Sequence, residues 1–294
     1  MKHFQFIVVL LSCSLVVACG GPQHSKVLDP NYSEQSLLKL RSFTVSSQIN
    51  QTEVNLHLVD TKDVSSNPVV MIHGTPGSWS TFNFILGNTE LQKTNHLISV
   101  DRLDWGLSKS VDEKATFPQF NEQVDAIAQM VRSVTDQPVI LLGHSLGASF
   151  APSVAIKYPE LVKGMILVSG TVDPKLGGPR WFNKVARWKV VQWFLPDELI
   201  NSNKEIYELK SGLIDVQEKW QNLTIPVTVI QGLKDKLVNP SNVAYVQEKY
   251  ADKQDLLKVV TLPKNGHFIP WEATQVIIDS IQEMNQRFDI VEKK

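Results

Sequence analysis

Apolar and polar positions along this chain follow two periods, and the change from one to the other marks its elements. Ser42-Phe43-Thr44-Val45 and Val54-Asn55-Leu56-His57-Leu58 alternate, with the polar Asn50-Gln51 pair between them, and predict an antiparallel hairpin. Short continuous apolar runs follow at Pro68–Ile72, His96–Asp101, Val139–Leu142, Gly164–Ser169, Pro226–Gly232 and Leu256–Leu262. Runs of that length without alternation suit parallel strands buried on both faces. Between them, Pro118–Val134 carries Phe120, Val124, Ile127, Val131 and Val134 at helical spacing, and the chain closes on a second stripe of Ile277, Ile281, Met284 and Phe288. Strand and helix in alternation predict an α/β architecture: an open, mostly parallel sheet with helices on both faces and right-handed crossovers. After the sixth strand the alternation stops. Residues 171–223 show no strand pattern, hold helical runs such as Lys204–Leu209, and gather Trp181, Phe182, Trp188, Trp193, Phe194 and Trp220.

The beginning of the chain follows neither period. A short basic start, Met1-Lys2-His3, precedes an apolar run from Phe4 to Val17 that Ser12 and Ser14 interrupt. It falls short of the roughly 20 apolar residues a membrane span needs, so it reads as a signal peptide. Val16-Val17-Ala18-Cys19 resembles a bacterial lipobox, which implies cleavage after Ala18 and acylation of Cys19. The alternative is an ordinary cleaved signal with an incidental cysteine. On the lipobox reading residues 1–18 are the signal, 19–41 a polar tether, 42–170 with 224–294 the catalytic core, and 171–223 an insertion. Cys13 leaves with the signal, so the folded part keeps no cysteine for a disulfide, a thiol nucleophile or a metal site. The expected location is the bacterial cell envelope, bound to a membrane through the lipid. Gly20 stands where the retention signal of such proteins places an aspartate, which favours the outer membrane, facing the periplasm.

Composition narrows the partners. The chain has 294 residues, 43% of them hydrophobic, enough for a sizeable core. A net charge of −1, with no basic stripe and no phosphate-cradling glycine loop, excludes a nucleic-acid footprint and points to no cofactor and no metal.

The candidate chemistry gathers where strands end. Val139–Leu142 runs into Gly143-His144-Ser145-Leu146-Gly147 and restarts as helix. Two glycines let strand and helix pack closely around a strained turn, so that the Ser145 hydroxyl projects beside free helix N–H groups. This stretch resembles the nucleophile elbow of the α/β-hydrolases. Three further motifs resemble that family's in order: the loop His73-Gly74-Thr75-Pro76-Gly77-Ser78, the loop Arg102-Leu103-Asp104-Trp105-Gly106-Leu107-Ser108, where Asp104 replaces the first glycine the family expects, and Asn265-Gly266-His267 after the last strand. Ser145, Asp235 and His267 also stand in the order of the family's nucleophile, acid and base. The resemblance covers about residues 43 to 288 and implies an α/β-hydrolase core with a small helical cap over the site. In such a cap, about half of the aromatic residues would form its own core and the rest would line an apolar acyl or aryl pocket.

The roles follow from the chemistry of the side chains. Serine is a weak nucleophile, so His267 must take its proton and later give it to the leaving group, while Asp235 holds the imidazole tautomer. The oxyanion donors implied are the N–H groups of Leu146 and Thr75; Pro76 has none, and Thr75 is preferred to Gly77. Two rivals stay open. Asp173 could serve as the acid, and Asp104 stands in an Asp-Trp-Gly sequence like the elbow of aspartate-nucleophile members, although no packed helix follows it. His57 and His96 read as structural. The expected function is serine hydrolysis of a small-molecule carboxylic ester or acyl substrate, with an amide or carbon–carbon bond, or a cofactor-free perhydrolase reaction, as alternatives on the same residues. A non-catalytic, lipid-anchored binding protein is the reading from another class.

Overall fold

The computed structural model describes residues 31–62, 67–112 and 117–292. The expected signal peptide and Cys19 lie outside the described residues. Among those described, a nine-stranded sheet runs β1 (Arg41–Ile49), β2 (Thr52–Asp60), β4 (His96–Val100), β3 (Pro68–Ile72), β6 (Val139–His144), β7 (Val162–Val168), β8 (Val227–Gly232), β9 (Leu257–Leu262), with the short β5 (Lys109–Ser110) beside β2. The pairs β1–β2, β2–β4 and β2–β5 are antiparallel, and every pair from β4 to β9 is parallel. The hairpin forms because Asn50 and Gln51 both take positive φ, 48° and 68°, the geometry a two-residue hairpin turn needs. β5 escapes the sequence pattern because two residues carry no period.

The continuous apolar strands are buried on both faces. Along β6, Val139 and Leu141 enter one core, with Ile140 and Leu142 in the other; along β3, Val70 and Ile72 oppose Val69 and Met71 in the same way. The first core is covered by α1 (Phe120–Val134) and α2 (Leu146–Lys157), the second by the last helix, α5 (Thr274–Glu292), through Ile277, Ile281 and Met284. Between β7 and β8 lie two short helices, Trp181–Val185 and Lys189–Gln192, then α3 (Asp197–Val216). With one strand more than the sequence pattern shows, this insertion follows the seventh strand. The helix α4 (Asn242–Lys249) joins β8 to β9.

The sequence boundary of the tether needs correction. Residues 31–40, which its polar character assigns to a free tether, are packed. Tyr32 bridges Asn88 and meets Phe84 edge-on at 5.3 Å, the Ser36 hydroxyl donates to Gly87 O at 3.0 Å, and Leu37 and Leu40 pack on the second core. Polar composition conceals this because a few anchoring side chains suffice to hold the segment.

Candidate active site

Ser145 sits between β6 and α2 with φ 55° and ψ −121°, a left-handed conformation that an L-residue adopts only when its surroundings impose it. Close packing imposes it here. A Cβ on Gly147 would lie 2.0 Å from Ile72 O, and one on Gly143 would lie 2.4 Å from Gly147 O, so only glycine lets strand and helix meet at this angle. The Ser145 N–H donates to Val168 O at 2.9 Å and ties the turn to the end of β7.

Two successive post-strand loops bring in Asp235 and His267. His267 Nδ1–H donates to Asp235 Oδ2 at 2.8 Å, which leaves Nε2 as the basic nitrogen of the neutral ring. The other carboxylate oxygen accepts the N–H groups of Leu237 and Val238, each at 2.8 Å. Burial opposes charge on Asp235, but the hydrogen bond and electrostatic attraction from His267, with those two N–H groups, outweigh it and hold the carboxyl below its usual range. Asp235 is therefore ionised at neutral pH. Asp173, the rival acid, instead accepts the Lys175 N–H at 2.8 Å in its own loop.

His144, the variable residue of the turn, makes a contact its sequence does not reveal. Its Nε2–H donates to the His267 carbonyl at 3.0 Å and its ring packs against that of His267, centroids 5.0 Å apart. Burial, reinforced by the neighbouring His267, lowers its pKa to about 3, so it remains a neutral strut.

The loop after β3 approaches the turn from the other side. A Cβ on Gly74 would stand 2.8 Å from Ser145 Cβ, so glycine is required for this approach. Thr75 and Leu146 both line the cavity that holds Ser145 and His267. Gly77 turns toward His73, whose Nδ1 would lie 2.7 Å from an added Cβ. His73 donates from Nδ1 to Gly74 O at 2.7 Å and accepts the Arg102 N–H on Nε2 at 3.1 Å. Burial first, then the Arg102 charge, lower its pKa to about 3.

Arg102 is fully buried, and its guanidinium ties three elements together. It donates to His73 O at 3.1 Å and Gly74 O at 2.9 Å, and it pairs through both terminal nitrogens with Glu205 on α3. Trp105 Nε1–H donates to the same carboxylate at 3.1 Å. The sequence gives an arginine after a strand but no hint of its partner, since the pair is 103 residues apart.

The remaining candidates have structural partners. Asp104 has φ 61° and accepts the Ser110 N–H at 2.9 Å, so it orders its loop, and the next element among the described residues is the strand Lys109–Ser110, not a helix. His57 pairs with Asp101 and His96 with Asp60, each at 2.8 Å. The cavity, about 280 Å³, lies between the carboxyl edge of the sheet and the insertion, whose Phe182, Val185, Trp188, Val191 and Leu195 give it apolar walls. The expected division of the aromatic residues is only partly met. Trp220 is buried and Phe182 and Trp188 line the cavity, but Trp181, Trp193 and Phe194 face solvent.

A mostly parallel sheet with a strained serine turn, a carboxylate-bound histidine and a glycine loop beside them is the architecture of a hydrolase of the α/β class. Residues 69–279 match the model of the Alpha/beta hydrolase family, and the chain belongs to that family. It is 23% identical over 275 residues, 81% of this chain and 94% of the relative, to 2-(acetamidomethylene)succinate hydrolase of Mesorhizobium japonicum. To (lyso)-N-acylphosphatidylethanolamine lipase of Mus musculus it is 33% identical over 124 residues, and it spans about a third of that protein's length (40% of this chain, 34% of the relative). The fold is shared with a bacterial membrane phospholipase A described as a virulence factor, with TM-score 0.63 and 16% identity over 100% of both chains.

Proposed function

We propose that this protein is a serine hydrolase that cleaves a carboxylic ester through an acyl-enzyme. His267 Nε2 takes the Ser145 proton as Oγ attacks the ester carbonyl carbon, and the N–H groups of Leu146 and Thr75 receive the oxyanion. The tetrahedral intermediate collapses, the C–O bond to the leaving group breaks, and the imidazolium gives its proton to the departing alcohol. Water, deprotonated by the same imidazole, then releases the acid and frees Ser145. Asp235 stays ionised throughout and stabilises the imidazolium. The 2.8 Å contact between Asp235 and His267, in a loop strutted to the Ser145 turn, carries this reading. The apolar cavity wall and the lipase among the relatives support an acyl ester as substrate. The lipobox-like Val16–Cys19 supports a lipid-anchored enzyme of the cell envelope.

A fluorophosphonate probe tests the reading directly. It should label the wild-type chain on Ser145, and Ser145→Ala should lose both the label and nearly all hydrolysis of a small aryl ester while folding normally. Retained hydrolysis in Ser145→Ala would assign the nucleophile elsewhere, and a folded wild-type chain that neither reacts with the probe nor turns over esters would be a binding protein.

A further inference from the structure

The insertion between β7 and β8 has a second apolar surface, outside the cavity. In residues 180–196, Phe182, Val185, Trp188, Val191 and Leu195 line the cavity. Trp181, Val190, Trp193 and Phe194 lie outside that lining and are 69, 60, 87 and 56% exposed, and Trp188, although it lines the cavity, is itself 62% exposed. Neither the cap's own core nor the substrate pocket accounts for them. The same stretch carries Arg180, Lys184, Arg187 and Lys189 and contains no acidic residue before the exposed Asp197 and Glu198 that follow it, in a chain whose net charge is −1. Arg180 donates to the carbonyls of Lys236 and Leu237, and Arg187 lies over the Tyr207 ring at 4.6 Å; neither contact neutralises its charge.

We propose that this face docks on an anionic phospholipid surface, with Trp181, Trp193 and Phe194 set among the headgroups and the cavity mouth turned toward the bilayer. Exposed tryptophan and phenylalanine beside lysine and arginine match a bilayer boundary, where rings sit at the headgroup level and cations meet anionic lipid. A second copy of the chain suits the face less well. A two-fold contact would bring these four cations against their own copies without a compensating carboxylate in the stretch. The short helices Trp181–Val185 and Lys189–Gln192 each present one side to the cavity and the other to solvent, so a lipid drawn from the boundary has a short path to Ser145. The docking itself is independent of the role proposed for Ser145.

Bromolipid quenching of tryptophan emission tests the docking in proteoliposomes that contain the full chain, so that its N-terminal segment is the same in every arm. In vesicles of phosphatidylglycerol with brominated phosphatidylcholine, wild-type emission should be quenched, and Trp181→Phe/Trp193→Phe should lose most of that quenching. Lys184→Glu/Lys189→Glu should lose the difference between these vesicles and vesicles of brominated phosphatidylcholine without phosphatidylglycerol. Trp193→Ala/Phe194→Ala should still hydrolyse a soluble short-chain ester at the wild-type rate, which separates loss of docking from loss of the catalytic residues. Unquenched wild type, or quenching unchanged in the double Phe variant, would overturn the proposal. Equal quenching of wild type in both vesicle types would overturn the anionic assignment. Cross-linked dimers in wild type that disappear in Trp193→Ala/Phe194→Ala would give the face to a second copy.

Discussion

Asp235 and Asp173 are both aspartates in loops after neighbouring strands, and their hydrogen-bond partners differ. Asp235 receives His267 Nδ1–H and two backbone N–H groups; Asp173 receives Lys175 N–H, and Val172 and Asp173 donate their own N–H groups to Asn242 Oδ1. Asp235→Asn can place an NH₂ against Nδ1 and so favours the tautomer whose Nε2 carries the proton, which removes the base. Turnover of an aryl ester should fall on the order of 10⁴, with little change in KM, whereas Asp173→Asn should stay near wild type. The opposite ranking in a steady-state assay would move the acid to Asp173. Ser145, His267 and Asp235 were legible as candidates because each follows a strand and the three stand in order. The His144 strut was not, because its partner is a backbone carbonyl that no side-chain pattern announces.

Among the elements, the Arg102–Glu205 pair matters most to the site. It connects the insertion helix α3 to the loop that carries Gly74 and Thr75, and both charges are removed from solvent. Replacing one partner of a buried pair leaves the other charge uncompensated, a loss of about 3–5 kcal/mol. Glu205→Gln should therefore lower the urea midpoint and speed proteolysis within 171–223. Its KM should also rise, because the insertion forms one wall of the cavity. Arg102→Met/Glu205→Leu should recover part of the stability that Glu205→Gln loses. A Glu205→Gln protein with wild-type midpoint and protease resistance would mean that the insertion is held by its apolar contacts alone.

At the scale of the molecule, titration of buried groups sets the acid limit. His73 and His144 are held near a pKa of about 3, below the 6.5 of an exposed imidazole, mainly by burial. Between those values the unfolded chain binds protons that the folded chain refuses. Their contribution is complete above about pH 6.5 and is lost as pH falls toward 3. Asp60 adds to this at lower pH. Burial disfavours its charge, but hydrogen bonds from His96 and Arg41 hold it at about 2, and that contribution fades only as pH falls below 3.8. The urea midpoint should drop steadily from pH 7 to pH 4, and His144→Gln should flatten the slope. A midpoint independent of pH across that range would contradict neutral burial of these rings. The whole chain also carries the anchor proposal. One acyl chain binds a bilayer only reversibly, so a multiply acylated Cys19 should hold the protein in the membrane fraction through salt and alkaline washes. Cys19→Ser should lose that retention and keep ester hydrolysis; wild type released by a salt wash would defeat the anchor reading.

The sequence by itself determined the class of this protein, because the period of its apolar residues is local and survives without coordinates. Val139–Leu142 reads as a two-faced strand, Phe120 to Val131 as a helix stripe, and Gly143 to Gly147 as a turn that only glycine can close. Interactions across long separations were decided by tertiary structure. The polar segment 31–40 packs through a few anchors, and Lys109–Ser110 becomes a strand only because Val54 and Asn55 lie beside it. Glu205 becomes the partner of a fully buried Arg102. Of the aromatic residues of the insertion, Phe182 and Trp188 reach the cavity while Trp181, Trp193 and Phe194 stay outside it, a difference of direction that composition does not encode.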